Sequence, residues 1–341
     1  MTDLDDVGPP GRAPADPPAA GGLDPLALDA PATITRLADA IIEATKGLGR
    51  RGAVVAVSGG IDSSVVAGLC VRALGPERVI CLSLPEREGE SESASLGRDL
   101  AQGIGARWMQ EPISAALDAL GCYERRDEAI RTVFPDYEPG WPHKLVRSAP
   151  TGAIIVFSLV LRRPDGHEEE RRMPPDAYRA LIAATNMKQR VRKLLEYTWA
   201  DRLGYAVMGT PNLLEYDQGF FVKGGDGLAD VKPIAGLYKS QVYDVARELG
   251  LPAAILARTP TTDTFSLSQT QEEFYFGHPH ERMDLLLWGS DEGVPAAELA
   301  PFVDLPVDAV ESAYWEVERR REATRYLHAT AMTFARGRGG V

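Results

Sequence analysis

Cysteine is scarce in this chain: Cys70, Cys81 and Cys122 are the only three in 341 residues, and no pair has CxxC spacing. An odd, scattered set fits neither a disulfide framework nor a zinc site, which leaves reduced structural thiols. Long hydrophobic runs are missing too, with nothing near the roughly 18 apolar residues of a membrane span. The N-terminus has neither the basic nor the apolar region of a signal peptide, so a cytoplasmic protein with no membrane partner is expected. Basic charge is in deficit: 37 Lys+Arg against 49 Asp+Glu give a net charge of -12. Such a molecule repels nucleic acid as a whole, and an anionic substrate would need a local basic pocket.

What is present reads as one folded body between two less ordered ends. Residues 1–31 are rich in Pro, Ala, Gly and Asp. Their apolar surface is too small to offset the entropy of ordering, and a disordered leader is expected. Helical periodicity begins at Ile34, and a helix is predicted over 33–46. Ala53–Val57 is a short apolar run of the kind that forms a parallel strand covered on both faces. Strands at 79–84 and 107–111 alternate with helices at 65–74 and 93–104. This alternation implies an α/β fold: an open parallel sheet with helices on both faces and ligands at the carboxyl ends of the strands. The pattern breaks over about 114–182, where prolines and the turn Pro164-Asp165-Gly166 predict a loop and β-hairpin insertion. It resumes with a helix at 184–203, a strand at 205–209 and a helix at 240–249. Residues 266–330 read as helical, with segments near 269–276, 281–288 and 306–328, and 331–341 as a flexible tail.

Chemistry concentrates in Ser58-Gly59-Gly60-Ile61-Asp62-Ser63-Ser64, placed between the first strand and a helix. Glycines admit an anion close to the backbone, and the N–H groups of a helix start point toward it. A phosphate site is therefore expected. The string is neither GxxxxGK[ST] nor GxGxxG, which excludes a Walker A loop and a dinucleotide fingerprint here.

This loop resembles that of the ATP-pyrophosphatase (PP-loop) superfamily, whose members adenylate an acceptor and release pyrophosphate. Further runs, Asn186–Arg192, Gly209–Glu215, Gly219–Asp230, Pro233–Lys239 and Pro260–Asp263, occur in the order and spacing of the NAD synthase family. The resemblance implies an adenine nucleotide alpha hydrolase-like, Rossmann-like fold and an AMP-forming ligase that uses ATP, Mg²⁺, deamido-NAD and ammonia. It implies that Ser58, Gly59, Gly60, Asp62, Ser63, Ser64, Thr210, Lys239 and Thr261 bind ATP, with Asp62 and Glu215 as magnesium ligands. Arg190, Lys223 and Asp230 fall at positions that hold deamido-NAD, and Asp226, Lys239 and Thr261 at catalytic ones. A homodimer is implied, with ammonia free or supplied by a separate glutaminase chain.

Lys239 opens a predicted helix, where a cation is unfavourable unless an anion sits beside it, and a bound phosphate is expected there. The loop Leu84–Ser93 and Leu228 depart from the family pattern, and the 114–182 insertion falls near the expected acid substrate. A ligase of the same chemistry acting on a different carboxylate, from a surface-sugar or secondary-metabolite pathway, is the alternative. A tRNA-modifying enzyme fits the acidic chain poorly, and a non-catalytic paralogue need not keep Asp62, Glu215, Lys239 and Asp226 together. The run Gln269–Phe276 reads as a packing helix without a catalytic role.

Overall fold

The computed structural model describes residues 24–89, 91–147, 157–261 and 265–334. Helix α1 (Ala30–Gly47) is capped by Asp29, whose side chain accepts the Ala32 N–H. It starts before the predicted 33 and, with Leu26 buried ahead of it, takes residues 24–31 out of the leader expected over 1–31; residues 1–23 of that leader, and 335–341 of the tail expected over 331–341, lie outside the described residues. Then come β1 (Ala53–Ala56), α2 (Ile61–Leu74), β2 (Val79–Ser83), α3 (Ser91–Gly103) and β3 (Arg107–Gln110), as the alternating pattern predicts.

The insertion holds the expected hairpin about the Pro164–Gly166 turn and adds further elements to it. It contains two helices, α4 (Ser114–Ala119) and α5 (Cys122–Arg131). Its strands β4 (His143–Arg147), β5 (Phe157–Arg162) and β6 (Glu168–Arg172) make a three-stranded antiparallel sheet in the order β4-β5-β6. Helix α5 carries no amphipathic signal in the sequence because Arg126 and Asp127 are buried within it, which erases the apolar stripe that marks a helix. Strand β6 reads Glu-Glu-Glu-Arg-Arg and is mostly exposed. Part of the apolar run Ile154–Leu161 lies outside the described residues.

Helix α6 (Pro175–Leu203) returns the chain to β7 (Ala206–Met208). The remaining helices are α7 (Leu213–Asp217), α8 (Lys239–Glu248), α9 (Ala253–Leu256), α10 (His280–Asp291), α11 (Ala296–Val303) and α12 (Val307–His328). The predicted helix over 269–276 is instead a bridge between Thr261 and Thr270 followed by a π-helical turn, Glu272–Phe276.

The main sheet has the order β3-β2-β1-β7, all parallel, with Val54 opposite Ile80 and Val207. Alternate residues of β1 point to opposite faces. Ala53 and Val55 join a core with α1, α2 and α8, whereas Val54 joins one with α4, α5 and α6. Both faces are thus covered, which is why the strands read as continuous apolar runs. The chain leaves β1 toward β2 on one side and reaches β7 on the other, so the C-terminal ends of β1 and β7 flank a topological switch point where such sheets bind ligands. The insertion has its own core of Leu145, Leu159, Leu161, Ile130 and Phe134, among others, and α10 to α12 enclose a fourth. Cys70, Cys81 and Cys122 are free and buried.

Candidate active site

A cleft of about 390 Å³ opens at that switch point, within the size range of small-molecule sites. The Ser58–Ser64 turn forms one wall. Gly60 precedes the first turn of α2, and no side chain caps that helix, so its leading N–H groups remain available to an anion. The turn is held by its own serines: Ser63 and Ser64 Oγ donate to Gly60 O at 3.0 and 2.8 Å, and the Ser58 N–H donates to Ser63 Oγ at 3.3 Å. Gly59 has φ +72°, and a Cβ there would meet Ser93 O at 2.9 Å; only glycine fits both constraints. Ser58, Gly60, Asp62 and Ser63 line the cleft, whereas Gly59 and Ser64 support the turn from behind.

Asp62 and Glu215 are brought together by Asn212. Asn212 Nδ2 donates to Asp62 Oδ1 at 2.9 Å, and Asn212 Oδ1 accepts the Glu215 N–H at 3.1 Å. Glu215 Oε2 accepts the Asn212 N–H at 3.2 Å, completing a capping box that starts α7. Lys239 Nζ donates to Asp62 Oδ2, and Gln271 Nε2 donates to Glu215 Oε1 at 2.9 Å. Burial, and after it the charge of Asp62, push the Glu215 carboxyl up to about 7 in spite of Lys239. Two carboxylates therefore share one ammonium, leaving a site short of positive charge.

That donor set suits Mg²⁺. The ion binds through one or two carboxylates plus phosphate oxygens rather than an all-protein cage. Among the described residues no group of three or more His, Cys, Asp or Glu side chains gathers as such a cage. Thr210, Asp226, Lys239 and Thr261 also line the cleft.

The anion expected beside Lys239 is supplied by the protein. Asp284, from α10, accepts the Lys239 and Ser240 N–H groups at 3.2 and 2.8 Å, so it serves the start of α8 directly. Burial raises its carboxyl to about 6. The position of Lys239 at a helix start thus requires no bound phosphate, although its ammonium still faces the cleft.

The structure does not bring the three candidate dinucleotide residues into this cleft. Exposed Arg190 donates from Nε to Lys223 O at 3.3 Å. Lys223 Nζ donates to Tyr326 O at 2.8 Å and to Ala329 O. Asp230 accepts the Val207 N–H at 2.8 Å and the Tyr197 hydroxyl at 3.1 Å. They lie on an outer surface with exposed Leu194, Leu228 and Tyr326.

Several participants were not predicted. Asn212 was signalled by its three-residue spacing from Glu215, the mark of a capping box. Arg258, which donates from NH1 to Ser58 O at 3.0 Å and from NH2 to Ser93 Oγ at 2.8 Å, has no local signature. Neither has Gln271, so the segment read as mere packing reaches the carboxylate pair.

The chain matches the family model described as NAD synthase over residues 33–132 and 168–326. It is 50% identical over 307 residues to the NH(3)-dependent NAD(+) synthetase of Rhizobium meliloti (strain 1021), covering 89% of this chain and 92% of that protein. It is 35% identical over 243 residues to the Thermotoga maritima protein of the same name, covering 70% and 79%. Its fold is similar to that of NMN synthetase from Francisella tularensis, with a TM-score of 0.63 at 20% identity over 90% of this chain and 99% of that one. The NH3-dependent NAD synthetase from Campylobacter jejuni gives 0.59 at 21% identity over 90% and 100%.

Proposed function

The chain belongs to the NAD synthase family, and from that premise we propose that it is an ammonia-dependent NAD synthase, an AMP-forming carbon-nitrogen ligase acting on deamido-NAD. A carboxylate resists attack by ammonia until its oxygen becomes part of a good leaving group. In the proposed reaction the nicotinate carboxylate attacks the α-phosphate of ATP, forming a bond to phosphorus as pyrophosphate departs. Ammonia then forms the amide bond and displaces AMP.

The residues of the cleft divide this work. The amides of the Ser58–Ser64 turn and the Lys239 ammonium take the growing charge of pyrophosphate, as fixed donors aimed at developing charge do. Asp62 and Glu215 are the residues that would hold Mg²⁺, which supplies positive charge to phosphate oxygens when bound. Thr210 and Thr261 orient the nucleotide, and Asp226 orients ammonium or takes its proton. Arg190, Lys223 and Asp230 would hold deamido-NAD on the outer surface. The exposed apolar side chains around them support a homodimer in which a second copy covers that surface. A cytoplasmic setting is part of this proposal; among the described residues no helix is long and apolar enough to cross a membrane.

The observation that carries the reading is the uncapped start of α2, with Asp62 in its first turn bound by Lys239 and buried Glu215 beside it. The test is amide formation with ATP, Mg²⁺ and ammonium across a panel of carboxylic acids. Deamido-NAD labelled with ¹⁸O in its carboxylate should pass one label to AMP and none to pyrophosphate. Amidation of another acid in preference to deamido-NAD would refute the assignment.

A further inference from the structure

The loop that carries Asp226 rests on a charged face of α6 that the proposed reaction has not used. Gln189, Lys193 and Glu196 fall at i, i+4 and i+7 and so share one side of the helix; all three line the cleft with Asp226. The approach is close, since a Cβ on Gly225 would lie 2.8 Å from that of Gln189. One turn further along, Lys193 Nζ donates to Glu196 Oε2 at 2.6 Å, and these side chains are only 4% and 5% exposed. A buried ion pair is seldom the most stable filling, because apolar residues of similar volume often do as well or better. Its place beside Asp226 gives it a use.

Asp226 Oδ1 accepts the Val222 N–H at 2.7 Å. Burial pushes the Asp226 carboxyl up, opposed by that hydrogen bond and by the charge of Lys193, with Arg192 acting more weakly. Among the charged groups nearby, Glu196 is repelled by Asp226 and Lys232 by Lys193. From α12, Thr324 packs on Gly219 and His328 on Phe221.

We propose that Lys193 is a positioning residue for amidation: anchored by Glu196, it holds the Asp226 carboxylate over the cleft, where that carboxylate accepts a proton from ammonium. The inference rests on the ammonia-dependent reading above. In this step one N–H bond of ammonium breaks, the proton going to an Asp226 oxygen and the electron pair staying on nitrogen. The freed ammonia forms the C–N bond as the C–O bond to AMP breaks and its electron pair leaves with the phosphate. The new nitrogen then sheds one further proton to solvent.

Two readouts test this: ¹³C carboxyl NMR of Asp226 in the ligand-free protein, and the acid limb of kcat/KM for ammonium chloride at saturating ATP and deamido-NAD. The variants are Lys193→Met and the double change Lys193→Met with Glu196→Gln, which leaves no carboxylate buried without its partner. Both midpoints are expected to rise by roughly one to three pH units in Lys193→Met, and by less in the double variant, which also removes the repulsion between Glu196 and Asp226. At pH 7, kcat/KM for ammonium should fall roughly tenfold or more, and Lys193→Arg should restore most of it. Unmoved midpoints in both variants, with a wild type that amidates deamido-NAD, would overturn the inference. A moved NMR midpoint in a protein that performs no amidation would support the hold of Lys193 on Asp226 and overturn the proposed function instead.

Discussion

Glu88 and Glu215 each sit near a buried lysine, yet their carboxyl groups are displaced in opposite directions. For Glu88, burial alone would raise it, but Lys188 and Arg126 outweigh burial and bring it down to about 2. Lys188 Nζ lies 3.0 Å from Glu88 Oε2 and 2.9 Å from Glu86 Oε1, Arg126 NH1 also binds Glu88, and Arg126 NH2 binds Asp127 at 2.7 Å. For Glu215, the donors in direct contact are neutral, Gln271 and the Asn212 N–H, while the Lys239 ammonium hydrogen-bonds Asp62. A buried lysine therefore stabilises the carboxylate it touches and only partly offsets the burial of the next one. The first cluster, which ties the loop after β2 to α5 and α6, sets two cations directly on Glu88. The second leaves Glu215 with neutral donors alone, and that is the carboxylate a metal ion would suit.

Isosteric substitutions turn this contrast into numbers. Glu215→Gln should lower kcat/KM with Mg²⁺ and ATP by at least roughly a hundredfold. In metal-free buffer its unfolding midpoint should stay level or rise, because a neutral amide is cheaper to bury than a charge. Glu88→Gln should do the opposite to stability, costing roughly 3 to 5 kcal/mol because two buried cations lose a partner; urea titration measures it. The pH dependence of that loss has a fixed sign. A carboxyl held low in the folded state contributes stability that is complete above its ordinary value of 4.5 and fades as pH falls toward about 2. The gap between wild type and Glu88→Gln should close over that window.

His143, in the insertion, gives a smaller acid effect. Burial lowers its imidazole from 6.5 to about 4, so the unfolded chain binds the extra proton first. Stability should fall as pH drops from 6.5 toward 4, by up to about 3 kcal/mol, and His143→Asn should flatten that slope in denaturant titrations across the range. The smallest effect belongs to the surface. Arg87 and Asp118 form an exposed pair at 3.1 Å, and Asp118→Ala should cost less than about 0.5 kcal/mol.

The two regions also differed in how far the sequence revealed them. Around β1, fully buried strands and a glycine turn carry their own signals, and Ala53–Ala56, Ile61–Leu74 and Val79–Ser83 form close to where periodicity places them. In the insertion, α5 buries Arg126 and Asp127 and β6 is mostly charged, so neither shows the pattern of its class. Within the cleft, Asp62, Glu215 and Lys239 stood in motifs. Asp284 and Gln271 reach the same site through contacts 45 and 56 residues apart in sequence, which no local pattern encodes. The outer position of Arg190, Lys223 and Asp230 was equally invisible, because motif order says nothing about which face of α6 meets the cleft.

The central claim is that the turn after β1 grips the phosphates of ATP while Asp62 and Glu215 share a metal with them. A crystal structure with Mg²⁺ and a non-hydrolysable ATP analogue tests it most directly. The account predicts phosphate oxygens on the amides of residues 61–63 and an ion held by both carboxylates. Phosphates seated elsewhere, with Lys239 still bonded to Asp62 and no ion between the carboxylates, would contradict it.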